Sequence, residues 1–153
     1  MKKIVLIILC STIIIGIIAS LNDKPIELIF SVPIDTIKSE IRDRYNADSV
    51  IIYSKRIKEE IYFQEIICPV VLVYNATTDV LDFKSLPTTD YQRIDNFEQI
   101  ENGLRQEGLF AAQTIIENCD MKEFNDLIIE FLKIDDNGKP IYQFICHYKD
   151  LLK

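Results

Sequence analysis

The feature that most constrains the fold is the pentapeptide Asp-Asp-Asn-Gly-Lys at residues 135–139, which lies between two apolar runs. Asn-Gly favours the left-handed backbone of a tight turn, and apolar residues on both sides favour pairing of the flanking strands. The pattern therefore predicts a β-hairpin made of residues 124–134 and 141–148. Pairing Asp136 with Lys139 across the turn sets its register.

This register sorts the side chains of the hairpin into two faces, because successive side chains of a strand point to opposite sides of a sheet. The expected cross-strand pairs are Leu132 with Gln143, Glu130 with Ile145, and Ile128 with His147. The more apolar face, which we expect to meet the core, carries Leu127, Ile129, Phe131, Tyr142, Phe144, Cys146 and Tyr148. The other face carries Ile128, Glu130, Leu132, Gln143, Ile145 and His147.

Cys146 and His147 are neighbours, and His147 is the only histidine of the chain. A thiol beside an imidazole has the composition of a nucleophilic dyad. On a strand, however, the two side chains point to opposite faces, so we expect Cys146 in the core and predict no catalytic residue. The candidate site is instead a polar cluster of His147, Glu130 and Gln143 on the other face, and the alternative is an ordinary half-exposed strand face.

The N-terminus has the pattern of an export signal. Met-Lys-Lys precedes residues 4–19, which hold no charge. Lysines before an apolar run keep the N-terminus in the cytoplasm and direct the following chain across the membrane. We therefore expect residues 1–20 to be a signal peptide or a membrane anchor and residues 24–153 to form the exported domain, which is either membrane-anchored or secreted/periplasmic. The run is long for a signal-peptide core of about 7–15 residues and short for a span of roughly 20, so both alternatives stay open.

Three cysteines follow this segment: Cys68, Cys119 and Cys146. Disulfides persist outside the cytoplasm, and an odd number of cysteines allows at most one internal disulfide with one thiol left over. The spacing does not choose among the three possible pairings. The alternative is that all three are reduced and buried as small apolar side chains.

The remaining chain reads as strands around two helical stretches. Strands are expected at residues 26–32, 49–53, 61–67, 69–74 and 80–83, with residues 75–79 as a turn and the charged residues 54–60 as a solvated connection. A first helix is capped by Asp35, buries Ile37, Ile41 and Tyr45, and ends near Asn46.

The longest helix is expected to begin at Thr89 or Asp90 and to end near Cys119. Gly103 and Gly108 weaken it, so we expect a kink, a break, or close packing of the helix on the sheet there. Strands in runs beside helices, rather than in strict alternation with them, indicate one α+β domain with a bent antiparallel sheet packed on the long helix.

Composition excludes several functions. The 17 basic and 24 acidic residues give a net charge of -7, so we expect no nucleic acid partner. No glycine-rich phosphate-binding motif occurs, and neither a metal site nor a cofactor is predicted. We expect a small, non-enzymatic extracytoplasmic domain that binds a protein or a small ligand and that contacts the membrane through residues 4–19 if they are retained. The alternatives are a thiol-dependent enzyme that uses a cysteine with His147, and a structural subunit of an envelope assembly.

Overall fold

A computed structural model describes residues 26–59, 64–87 and 97–152. This part of the chain forms two helices and one four-stranded mixed sheet, which confirms the α+β class. The elements in chain order are α1 (Ile34–Arg44), β1 (Ser49–Glu59), β2 (Gln64–Tyr74), α2 (Phe97–Asn118), β3 (Ile128–Ile134) and β4 (Pro140–His147), with short 3-10 turns at Phe83–Ser85 and Lys149–Leu152.

The sheet has the strand order β1-β2-β3-β4. The two outer pairs are antiparallel, but β2 and β3 run parallel, so the prediction of an antiparallel sheet is wrong at its centre. Parallel neighbours need a long crossover, and α2 lies in the connection between β2 and β3. Strand patterns in the sequence do not contain this information, because the direction of pairing depends on where the crossover returns the chain.

The hairpin of β3 and β4 has the predicted register. Ile128 pairs with His147, Glu130 with Ile145, and Leu132 with Gln143. The register shifts between Lys133 and Ile134, so the predicted pairing of Asp136 with Lys139 is replaced by a hydrogen bond from the Asp135 N–H to the Lys139 carbonyl at 2.9 Å. Gly138 has φ +77°, the left-handed conformation that the Asn-Gly pattern predicts. The strand β3 starts at Ile128 rather than at residue 124.

The hairpin of β1 and β2 is longer than predicted. Residues 54–59, expected in a solvated connection, belong to β1, where Arg56 forms a cross-strand ion pair with Glu65 at 3.2 Å. Two predicted strands merge into β2, and Pro69 lies inside it. Pro69 pairs with Ser54 of β1 but precedes Val70, where pairing with β3 begins, so its missing N–H costs no hydrogen bond on that side.

Two other predicted strands are absent from the described chain. Residues 26–32 make only an isolated bridge between Phe30 and Cys119 and hold the end of α2 through a hydrogen bond from the Ser31 N–H to the Asn118 carbonyl at 2.8 Å. Residues 80–83 lie in a loop that enters the 3-10 turn Phe83–Ser85. Each segment packs apolar side chains on the core without pairing in the sheet: Ile26, Leu28 and Phe30 from the first, and Leu81 and Phe83 from the second.

The helix α1 ends where the sequence predicts, and Asn46 follows it with φ 44°. Its N-cap is Pro33, without a side-chain cap, so the predicted capping by Asp35 is wrong. Ile37, Ile41 and Tyr45 are buried as expected.

The helix α2 runs without a break past both glycines. Its buried residues Leu104, Ala111, Ala112 and Ile115 belong to the same core cluster as Phe131 of β3 and Phe144 of β4. A Cβ at Gly108 would overlap the hydroxyl of Tyr148, so this glycine allows the close packing of helix on sheet that was one of the three expectations. The predicted start of this helix at Thr89 or Asp90 lies outside the described residues.

The two helices cover one face of the sheet, and we call the other face the open face. Its side chains follow from the cross-strand pairs: Tyr53, Val70, Ile128 and His147 form one row, and Ile51, Leu72, Glu130 and Ile145 form the next. Val70 and Ile128 are buried, while Ile51 and Ile145 are 46% and 44% exposed.

The predicted signal or anchor at residues 1–20 lies outside the described residues. Among the helices that the structure describes, none combines the length and the apolar character that a bilayer crossing requires.

Candidate functional site

A cleft of about 450 Å³ lies beside His147, at the end of the sheet where β3 begins and β4 ends. The hairpin of β1 and β2 continues past this end, because β3 pairs only from Val70 onward. The cleft therefore has the projecting hairpin on one side and the 3-10 turn after β4 on another. Its lining residues are Ile57, Ile66, Arg105, Asn125, Asp126, His147, Lys149 and Asp150.

His147 and Asp126 form the central polar contact of the cleft. The imidazole Nδ1 lies 2.5 Å from Oδ2 of Asp126, and the carboxylate can only accept, so the hydrogen bond requires the proton on Nδ1. The side chain of His147 is 51% exposed and that of Asp126 is 8% exposed. The second oxygen of Asp126 accepts the N–H of Leu127 at 2.8 Å. A buried carboxylate thus fixes the ring of an accessible histidine.

The predicted polar cluster is divided between two partners. Gln143 Nε2 donates to Glu130 Oε2 at 2.8 Å, which brings together two of the three predicted residues. The hydrogen bond of His147 goes to Asp126 instead of to Glu130. The alternation of side chains contains a signal that points to Asp126. Ile128 pairs with His147, and Asp126 and Glu130 lie two positions before and two positions after Ile128. Both are therefore diagonal neighbours of His147.

Asn125 holds the segment before β3 against the hairpin. Its N–H donates to the Ile67 carbonyl at 2.8 Å, and its side-chain oxygen accepts the Ile67 N–H at 3.2 Å. These two hydrogen bonds hold Asn125, the neighbour of Asp126, against β2. The carboxylate that orients His147 is therefore held in place by backbone contacts on both of its sides.

Two cations of the cleft, Arg105 and Lys149, make no ion pair with another residue in the described ranges. Arg105 comes from α2, and its carbonyl accepts the hydroxyl of Tyr148 at 2.6 Å, which ties this turn of the helix to the end of β4. Lys149 follows Tyr148 directly. Both side chains are exposed. The hydrogen bond of Tyr148 thus brings cationic residues from two distant parts of the sequence to one cleft.

The three cysteines in the described part of the chain are enclosed by the fold. Cys68, Cys119 and Cys146 are all free and buried, so none of the three disulfides considered from the sequence is present. Cys68 lies on the open-face side of the sheet and Cys146 on the helix side, so the sheet itself separates these two. Burial raises the pKa of each of the three thiols. A protonated, enclosed thiol is a poor nucleophile.

Cys146 and His147 are separated as predicted, since Cys146 is in the core and His147 is on the opposite face. Cys68 shares the face of His147, but the histidine is bonded to Asp126. Burial first, and then the negative charge of Asp126, raise the pKa of Cys68 to about 11. In a thiol dyad the imidazole would have to be the thiol's partner and lower this pKa.

In the described part of the chain, no group of three or more His, Cys, Asp or Glu residues is placed to hold a metal ion. No known protein family, no curated protein and no solved structure matches this chain.

Proposed function

We propose that this chain is an exported or membrane-anchored binding domain that holds its ligand in the cleft beside His147 and performs no thiol chemistry. The observation that carries the proposal is the arrangement of this cleft, in which a histidine oriented by a buried carboxylate faces the same space as two cations without ion-pair partners among the described residues. Binding needs polar groups at fixed positions, and it does not need an activated nucleophile.

The walls of the cleft support binding. Ile57 and Ile66 form a cross-strand pair and contribute apolar surface, while the polar groups come from α2, the segment before β3 and the end of β4. Small-ligand sites are commonly concave, with apolar walls and a few placed polar groups, and about 300–1,000 Å³ in volume. The cleft matches this description in size, and its lining is more polar, with six polar or charged residues beside the two isoleucines.

The isoleucine methyl groups allow a direct test of ligand binding. We would label isoleucine methyls in the full chain and record NMR spectra with a library of small fragments. The expected result is a set of fragments that shift the Ile57 and Ile66 signals in a saturable way, while Ile37 in the core stays unchanged. Fragments that bind only elsewhere, or none that bind, would overturn the proposal.

The absence of thiol chemistry has its own test. Iodoacetamide labelling of the native chain, followed by mass spectrometry of the peptides that contain Cys68, Cys119 and Cys146, should show slow modification of all three. Denatured protein is the control, and it should react fully. A native thiol that reacts as fast as in the denatured chain would favour the enzyme alternative instead.

The export part of the proposal rests on Lys2, Lys3 and the uncharged residues 4–19. Alkaline phosphatase fused to the C-terminus is active only outside the cytoplasm of a bacterial host, so the full chain should give an active fusion. A matched fusion that lacks residues 1–20 should be inactive. Equal activity of both fusions would contradict export, and the mass of the recovered chain would distinguish cleavage from anchoring.

The open face of the sheet favours a second candidate, a structural subunit of an envelope assembly. Ile51, Tyr53 and Ile145 are exposed on it, and exposed apolar surface on a sheet is typical of a contact with another protein. If this role is correct, Ile51→Lys should release the chain from a larger complex in sedimentation experiments. Unchanged sedimentation, or a chain that sediments as a monomer throughout, would speak against it.

A further inference from the structure

We propose that the ligand of the cleft is a carboxylate attached to an apolar group. This inference rests on the proposed function and adds the chemical class of the ligand. The cleft offers charge and apolar surface side by side, and a ligand that uses both must carry an anionic end and an apolar body.

The cations are Arg105 and Lys149. Neither has an ion-pair partner among the described residues, although the chain as a whole carries a net charge of -7. An arginine binds a carboxylate through two parallel N–H donors, and a lysine adds a second positive charge that is not tied to one geometry. His147 adds a third nitrogen-bearing group at the same wall.

Two acidic residues also line the cleft, one buried and one exposed. Asp126 is buried, and its two oxygens accept from His147 and from the Leu127 N–H, so its charge is engaged within the wall. Asp150 is exposed, and it lies next to Lys149 in the sequence. We expect Asp150 to oppose an anionic ligand, because like charges in one cleft repel. Replacing Asp150 is therefore expected to strengthen binding, whereas replacing either cation is expected to weaken it.

The isoleucines define the body of the ligand. Ile57 and Ile66 are partly buried and face each other across the projecting end of the hairpin. Their remaining exposed surface lies in the cleft with the cations. An apolar group that covers them gains free energy by removing apolar surface from water. Acetate, with a single methyl group, would leave most of this surface uncovered, so we expect a carboxylate with a larger apolar group to bind more tightly than acetate.

A carboxylate on an apolar group can be the C-terminus of a polypeptide or a free fatty acid. The probes are therefore N-acetyl-leucine for a peptide C-terminus and hexanoate for a fatty acid, with N-acetyl-leucinamide, hexanamide and acetate as controls. Binding to the full chain is measured from the Ile57 and Ile66 methyl signals. We expect at least one acid to bind about fivefold or more tightly than its own amide, and the tighter acid identifies the source.

Four variants complete the test. Arg105→Gln and Lys149→Gln should each weaken binding of the tighter acid by about fivefold, and Asp150→Asn should strengthen it. Lys122→Gln is the matched control, because Lys122 is an exposed cation outside the cleft. Correct folding of each variant is checked by the Ile37 methyl signal, which lies in the core.

The outcomes separate this inference from the proposed function. Amides that bind as well as acids, or cation variants that bind as well as the control, would overturn the carboxylate inference while the cleft could still be a binding site for neutral fragments. A cleft that binds neither the acids nor any fragment would overturn both. An acid that binds with the expected response to all four variants would support both.

Discussion

His147 and Asp126 are 21 positions apart in the sequence, and the histidine Nδ1 lies 2.5 Å from the carboxylate oxygen. One partner is half exposed and the other is buried. This relationship joins the end of β4 to the segment before β3, so we expect it to contribute to stability and not only to the shape of the cleft.

Replacing Asp126 with alanine should lower the free energy of unfolding by about 1–3 kcal/mol, because the N–H of Leu127 and the ring of His147 both lose their acceptor. Urea denaturation measures this change. A double-mutant cycle with His147→Ala separates the contribution of the pair, and we expect a coupling of about 0.5 kcal/mol or more. Strictly additive effects would mean that the two side chains do not stabilise each other.

Gly108→Ala should destabilise the chain, although alanine is the better helix former by about 1 kcal/mol. The new Cβ would overlap the Tyr148 hydroxyl, and overpacking of this kind typically costs about 1–3 kcal/mol. Tyr148→Phe removes the hydroxyl and should partly rescue the variant, even though it also loses the hydrogen bond to the Arg105 carbonyl. No rescue in the double variant would show that the contact is not the cause.

Stability should fall at alkaline pH. Burial raises the pKa of Cys68 from 9.0 to about 11 and also raises the pKa of Tyr45 and of Tyr148. The folded chain therefore keeps these protons in a pH range where the unfolded chain releases them. The contribution of these groups to stability is fully present below their pKa in the unfolded chain, and it is lost as the pH rises toward their pKa in the folded chain. Each such group contributes a slope of up to about 1.4 kcal/mol per pH unit.

Urea denaturation at about pH 8 and at about pH 10 measures this loss, in a range where the unfolded chain releases thiol protons and burial raises the pKa of Cys68, Cys119 and Cys146 in the folded chain. Cys68→Ala removes that group and should reduce the loss. Equal losses in the variant and in the original chain would show that Cys68 ionises as readily in the folded state as in the unfolded one.

Gly138→Ala should cost about 1 kcal/mol, because Gly138 has φ +77° and a Cβ is strained in that conformation. No atom lies within 4 Å of the position of the new Cβ, so the cost is one of backbone conformation and not of packing. Lys139→Ala, at an exposed position of the same turn, is the control and should change the stability by less than about 0.5 kcal/mol. Equal effects of the two substitutions would contradict this explanation.

The candidate site shows how far sequence reasoning reaches. The separation of Cys146 from His147 was predicted, because it needs only the alternation of side chains on a strand. The partner of His147 was not predicted, because two diagonal neighbours, Asp126 and Glu130, were available on the same face and only Glu130 was considered. Both carboxylates are buried, and each has its own donor: Gln143 donates to Glu130, and His147 donates to Asp126.

The sequence by itself determined the β3–β4 hairpin, its register over residues 128–132, and the burial of Ile37 and Ile41 in α1 and of Tyr45 directly after it. These features depend on turn chemistry and on periodicities of two and 3.6 residues, which are local properties of the chain. The tertiary structure decided that β2 and β3 run parallel, that Pro69 lies inside a strand, and that Arg105 of α2 lies in the same cleft as His147. These features depend on which distant segments of the chain come into contact, and local sequence patterns do not encode these contacts. A given strand can pair in either direction, and its neighbour is fixed only by the crossover connection and the packed helices.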